Sequence, residues 1–208
     1  MTETPPEPEA PATAKPKGKN LEVALRAVID PIIAAAGLDL IEFRMLRSPH
    51  GGMRLQLYID SLPGEGGVVV DDCASVSRKI GAVLEVEDPI TGAYDLEVSS
   101  PGMKRLLRHM DDIRRFEGVR ARITLPEQPD APRRTLIGEL ARGTTENELV
   151  LVTDGNKRET LAFAAVQRAV LDPTLEQWQQ LGAKQQAERV KRGTVHTEAE
   201  GIDAPDEI

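Results

Sequence analysis

Aromatic side chains are scarce. One Trp, two Tyr and three Phe make up 3% of the 208 residues. Any core must therefore be aliphatic, and recognition of single strands by a platform of stacked bases is disfavoured. Cysteine is reduced to Cys73, which excludes a disulfide framework and a cysteine-rich metal centre and fits a reducing compartment. No apolar run approaches the roughly 20 residues that span a bilayer. The opening stretch, MTETPPEPEAPATAKPKGKN, has no apolar segment of the kind a secretory signal needs, so the expectation is a soluble cytoplasmic protein. His50, His109 and His196 lie far apart and share no metal-ligand spacing; no metal and no cofactor is expected.

What the chain has is charge, unevenly placed. The formal net charge is −8. Residues 21–98 hold 13 acidic and 6 basic side chains, whereas residues 99–173 hold 11 acidic and 13 basic. An acidic half joined to a mildly basic one points to a partner carrying both signs, or to a nucleic-acid contact confined to one half. The bases concentrate between Met103 and Arg122, with 7 Lys or Arg against 3 Asp or Glu. Lys104, Arg105, Arg108, Arg114, Arg115, Arg120 and Arg122 are the candidate RNA-contacting residues. Guanidinium forks match phosphate geometry, and without aromatics such a cluster suits backbone and shape recognition of folded RNA. Pairing of the same arginines with Asp111, Asp112 and Glu117 would make the cluster structural instead.

In chain order, residues 1–19 are rich in Pro and Ala and read as a disordered tail. Asn20 is a candidate cap for a helix whose apolar positions Leu21, Ala24, Leu25, Val28 and Ile32 recur at helical spacing. Pro31 should kink or divide this helix, and Gly37 suits its end. Leu38 to Leu46 reads as a strand with Ile41, Phe43 and Met45 on one face. After the turn from Ser48 to Gly52, Met53, Leu55, Leu57 and Ile59 alternate with Arg54, Gln56, Tyr58 and Asp60, which makes a hairpin. Asp71 is placed to cap a second helix with Cys73, Val76, Ile80, Val83 and Leu84 on one face, ended by Glu87-Asp88-Pro89. Tyr94, Leu96 and Val98 form a third strand. This order, helix-strand-strand-helix-strand over residues 20–98, predicts a small sheet with helices on one face and a right-handed crossover into the third strand.

Ser99-Ser100-Pro101-Gly102 breaks the pattern as an interdomain turn. Residues 99–173, basic junction included, then carry short strand-like runs at 119–125, 135–141, 149–153, 160–163 and 169–171, separated by turn signals. That spacing predicts a small barrel or sandwich, and closure would remove its open edges. Residues 174–208 form an extension: a helix over 174–190 with Leu175, Trp178 and Leu181 as apolar positions, Trp178 packing back on the barrel, then a disordered acidic tail.

Enzyme readings find little support. Cys73 lies on the apolar face of a helix and reads as a small core residue. Ser100 and Lys104 are one position too far apart for a Ser-x-x-Lys pair, with a Pro-Gly turn between. Gly64-Glu65-Gly66-Gly67 sits where phosphate loops sit, between a strand and a helix, but Val69 occupies the last glycine position of the dinucleotide fingerprint. Asp71 with Asp72, and Glu85 and Glu87 with Asp88, carry the oxygens a magnesium ion would need; capping and solvation account for them. As surface carboxylates, Asp71, Asp72, Glu87 and Asp88 are candidates for contact with a basic protein partner.

Several runs together resemble the RimP family of bacterial ribosome maturation factors: Asp88-Pro89-Ile90, Gly92-Ala93-Tyr94, Leu96-Glu97-Val98-Ser99-Ser100-Pro101-Gly102, and Arg114-Arg115-Phe116 with Gly118. Asp71-Asp72-Cys73 and Val76-Ser77-Arg78 are similar to that family's second helix. The likeness spans roughly Leu21 to Pro173. It implies an α+β chain of two domains, an N-terminal αββαβ two-layer domain and a C-terminal SH3-like β-barrel. It also implies a non-catalytic, monomeric assembly factor that binds the immature small (30S) ribosomal subunit through ribosomal RNA and a small-subunit ribosomal protein. After Ser-Pro-Gly the family more often has Leu-Asp-Arg-Pro; here Met103-Lys104-Arg105-Leu106 replaces the acid with a base and lacks the proline. The rival readings are an RNA-independent protein-binding adaptor and an enzyme using the loop from Gly64 to Asp72.

Overall fold

The computed structural model describes residues 18–49, 51–63, 66–127 and 132–192. Most of the two segments read as disordered tails, His50, His196, Gly64, Glu65 and residues 128–131 lie outside them. The chain is α+β, with an N-terminal α/β region followed by an antiparallel sheet.

Helix α1 (Lys19–Ala35) presents Leu21, Leu25, Ile29 and Ile33 to the core. It begins one residue before Asn20, with Gly18 at the cap position, so Asn20 lies in the first turn and caps nothing. Pro31 lies inside without dividing it; Leu25, Ile29 and Ile33 anchor the backbone on both sides of the missing donor. Strands β1 (Leu38–Arg47) and β2 (Met53–Ser61) form the expected hairpin. A bulge between Leu40 and Glu42 resets the alternation. Leu38, Leu40, Phe43 and Met45 therefore share the core, and Ile41, expected among them, is buried outside that cluster.

Helix α2 (Val70–Glu87) buries Val76, Ile80 and Leu84. Its first turn is capped by Asp72, whose Oδ2 accepts the Val69 N–H at 2.9 Å; Asp71, the expected cap, is exposed one position early. Strand β3 (Tyr94–Ser99) returns parallel to β2, giving sheet order β1-β2-β3. Twelve buried side chains join the helices to this sheet, each contributing about 1.5–3 kcal/mol when fully withdrawn from water.

Beyond the junction lie α3 (Met110–Arg115) and strands β4 (Arg120–Leu125), β5 (Arg134–Arg142), β6 (Glu148–Thr153), β7 (Arg158–Ala162) and β8 (Arg168–Leu171). The strands match the sequence reading; α3 was hidden in the basic stretch. The sheet runs β7-β6-β5-β4-β8 and does not close. The junction takes the edge of β8 that β7 would need: Leu107 N–H donates to Ala169 O, Leu171 N–H donates to Arg105 O, both at 2.9 Å, and Leu106 bridges Val170. Ile113 and Phe116 from the α3 segment fill the concave face over Ile123, Leu140 and Leu151.

Helix α4 (Leu175–Arg192) follows Pro173. Thr174 and Gln177 cap it reciprocally, Thr174 N–H donating to Gln177 Oε1 and Gln177 N–H to Thr174 Oγ1, each at 3.2 Å. Leu181 packs on the sheet core; Trp178, the expected anchor, is half-buried and stands outside that cluster.

Candidate nucleic-acid and protein interface at the junction

The turn at the end of β3 needs Gly102, whose φ of +60° opens a 3-10 turn over Gly102–Lys104. That turn delivers Arg105 into the interior, 4% exposed. Its Nε donates to Asp60 Oδ2 at 2.9 Å and its Nη1 to Asp112 Oδ1 at 2.7 Å and Leu106 O at 3.3 Å. Asp60 ends β2 and also meets Arg115 Nη1 at 3.3 Å, while Arg115 donates to Ser61 O at 3.2 Å. The guanidinium carbons of Arg105 and Arg115 lie 5.1 and 5.2 Å from the centroid of the Phe116 ring, a cation–π arrangement on a buried ring.

Asp112 is the hub of α3. Its Oδ2 accepts the backbone N–H of Arg108 at 2.8 Å and of His109 at 3.2 Å. Burial alone would push its carboxyl up; the charge of Arg105 beside it and these hydrogen bonds outweigh burial and hold it below the ordinary value of 3.8. A carboxylate so placed satisfies the first turn of the helix and the buried arginine at once.

Further links cross between the halves. Arg108 pairs with Asp39 and donates to Leu40 O at 2.6 Å. Arg168 of β8 lies 3.6 Å from Glu42 of β1. Arg189 of α4 donates to Gly66 O at 2.6 Å and Val68 O at 3.2 Å.

These contacts sort the seven bases singled out from the sequence. Arg105 is withdrawn from solvent and Arg115 nearly so, at 13% side-chain exposure; both hold the halves together, and neither offers a fork to phosphate. Arg108 is committed to Asp39 and Leu40. Arg114 and Arg122 are about half-exposed at 45% and 48%, paired with Asp111 and Asp172. Lys104 is exposed and Arg120 half-buried. Ser99 and Ser100 are exposed beside Pro101. Among the carboxylates assigned to a protein partner, Asp71 and Asp72 stand at one end of α2 and Glu87 and Asp88 at the other, about 25 Å apart by helix rise, so the structure does not gather them. Asp72 is occupied as a cap. Asp60 and Asp39, the acceptors that organise the junction, were not found by sequence reasoning. Asp60 reads as the outward member of a clean alternation, and only the covering chain from residue 105 buries it.

The loop ahead of α2 is shaped for α4. Gly66 has φ +82°, and a Cβ there would lie 2.4 Å from Arg189 Cγ and 2.8 Å from Gln185 O. Cys73 packs against the N-terminal core, and burial, with Asp72 nearby, pushes its thiol up, away from nucleophilic use. Among the described residues, no group of three or more His, Cys, Asp or Glu could hold a metal ion, and no helix is long and apolar enough to cross a membrane.

Residues 28–104 match the family model described as the RimP N-terminal domain. The chain carries a RimP N-terminal domain. The match supports placing it in the RimP family, and with that family a role in ribosome maturation and a ribosome-related partner. The RimP N-terminal domain, so bounded, starts within α1 and stops at Lys104, one residue before the buried Arg105.

Proposed function

We propose that this chain is a non-catalytic, cytoplasmic, monomeric assembly factor that binds the immature small ribosomal subunit through ribosomal RNA and a small-subunit ribosomal protein. The observation that carries the reading is the RimP N-terminal domain over residues 28–104 joined to a second half with excess base. In this reading the chain has two domains, 20–98 and 99–173, followed by the extension 174–208. The second is SH3-like: the order β7-β6-β5-β4-β8 and the 3-10 turn Phe163–Ala165 between β7 and β8 support that topology in an opened form. Lys104, Arg114 and Arg122 are the RNA contacts, because they stay exposed and the two arginines are held only in surface ion pairs with Asp111 and Asp172, which phosphate can displace; the acidic N-terminal half meets the ribosomal protein. Arg105 and Arg115 act behind them by fixing the angle at which the halves present these surfaces.

Sedimentation of the full chain with cell extract tests this. The protein travels with free small subunits and leaves at high salt. Changing Lys104, Arg114 and Arg122 together to Ala lowers the salt slope of binding by about one for each phosphate the variant no longer neutralises. Absence from small subunits would overturn the reading, and an unchanged slope would remove its RNA half and leave a protein adaptor.

A further inference from the structure

Among the described residues the N-terminal sheet ends in an open edge. In the order β1-β2-β3, β3 has β2 on one side and, among the described residues, no strand on the other. The register sets Met53, Leu55 and Leu57 opposite Tyr94, Leu96 and Val98, and the Met53 N–H donates to Ala93 O at 3.1 Å. In a parallel ladder each residue bonds to the two neighbours of the residue it faces. The ladder toward β2 therefore uses the backbone of Ala93, Asp95, Glu97 and Ser99. The N–H and C=O groups of Tyr94, Leu96 and Val98 are aimed out of the sheet, and no described residue bonds to them. At the opposite edge a side chain of the second half already occupies one carbonyl, Arg108 donating to Leu40 O of β1.

One face beside this edge is acidic. On the helix-free face Asp95 and Glu97 are 50% and 45% exposed and share one guanidinium, Arg54, at 4.0 and 3.2 Å. The open edge of the other sheet, β7, lacks such a sign, with Arg158 and Glu159 adjacent and Lys157 on Glu159.

We propose that the β3 edge takes an extended, lysine- or arginine-bearing protein segment as an added strand. Main-chain hydrogen bonds to Tyr94, Leu96 and Val98 supply the bulk of the binding, and basic side chains at every second position share one face, where they meet Asp95 and Glu97. Asp95 and Glu97 repel phosphate, and pairing with a strand edge needs the regularly spaced main-chain N–H and C=O groups that RNA lacks, so this edge takes protein and not RNA. The inference rests on the reading that the partner includes a basic ribosomal protein, and names where an extended part of it would sit.

The probe is a peptide of ten alternating Lys and Val residues, followed by fluorescence anisotropy with the full chain. A second peptide of the same sequence carries N-methyl groups on alternate residues, which removes the N–H groups of one edge, and a third carries them on the remaining residues. Binding by the unmethylated peptide, its loss with one methylation register, and a weakening of roughly threefold to thirtyfold in the D95N/E97Q variant are the expected results. Equal binding of all three peptides would reduce the site to loose charge attraction and overturn strand addition; so would failure of the unmethylated peptide to bind, or unchanged affinity in the variant. Sedimentation with small subunits is read separately. A chain that travels with subunits yet ignores the peptide refutes the β3 edge and leaves the assembly function standing.

Discussion

Arg105 and Asp60 stand 45 positions apart in the chain and meet at 2.9 Å, with side chains only 4% and 6% exposed. One belongs to the junction and the other to the end of β2. Their contact, reinforced by Asp112 and Arg115, is the most buried charged link between the acidic and basic halves.

Breaking it from one side leaves a buried charge without its partner. Arg105→Met leaves Asp112 without its arginine and Asp60 with Arg115 alone; Asp60→Ala leaves Arg105 with Asp112 alone and Arg115 without a carboxylate. Each is expected to lower stability by about 3–5 kcal/mol, read from urea unfolding. Because the two residues touch, the double variant should cost clearly less than the sum. Additive losses would mean that the pair is not a coupled unit.

Acid should loosen the same junction. The folded state holds Asp112 below its ordinary value of 3.8, so ionised Asp112 favours folding. That contribution is fully present above the unfolded value and is lost as pH falls through the lower folded value. The urea midpoint should therefore drop with acid in the region below pH 3.8, and Asp112→Asn should flatten that limb while lowering stability at neutral pH. An acid limb of the same steepness in the variant would assign it to other carboxylates.

The elements of the chain were legible because their periods are clean. The hairpin, the crossover helix and the five short strands all follow from alternation and turn residues. The junction was legible only as charge. A guanidinium that tracks phosphate and one that is buried against Asp60 have the same letter in the sequence, and what distinguishes them is a contact between residues far apart in the chain. Barrel closure failed for a similar reason: residues 105–107, read as part of a basic surface, pair with β8. The bulge at Ile41 shifts a side chain between faces without any Gly or Pro to announce it.

Two adjacent carboxylates in α2 should behave differently. Asp72 accepts the Val69 N–H at 2.9 Å, and its replacement by Ala should cost about 1 kcal/mol. Asp71 is exposed with no such bond, and Asp71→Ala should stay within about 0.5 kcal/mol of the parent. Equal losses in thermal unfolding would place the cap elsewhere.

The contact between α4 and Gly66 is a strong test of whether the extension belongs to the folded body. Gly66 combines a positive φ with a neighbour, Arg189, that leaves no room for a Cβ. Gly66→Ala must therefore displace either the loop ahead of α2 or the last turns of α4, at an overpacking cost of about 1–3 kcal/mol. Arg189→Ala removes two hydrogen bonds to Gly66 and Val68 carbonyls but adds no clash, so its cost should be smaller. In both variants amide exchange should quicken over residues 185–192 while the sheet cores stay protected. Wild-type exchange rates there in Gly66→Ala would show that α4 does not rest on the N-terminal half, and the links between the halves would then reduce to those made by Arg105, Arg108, Arg115 and Arg168.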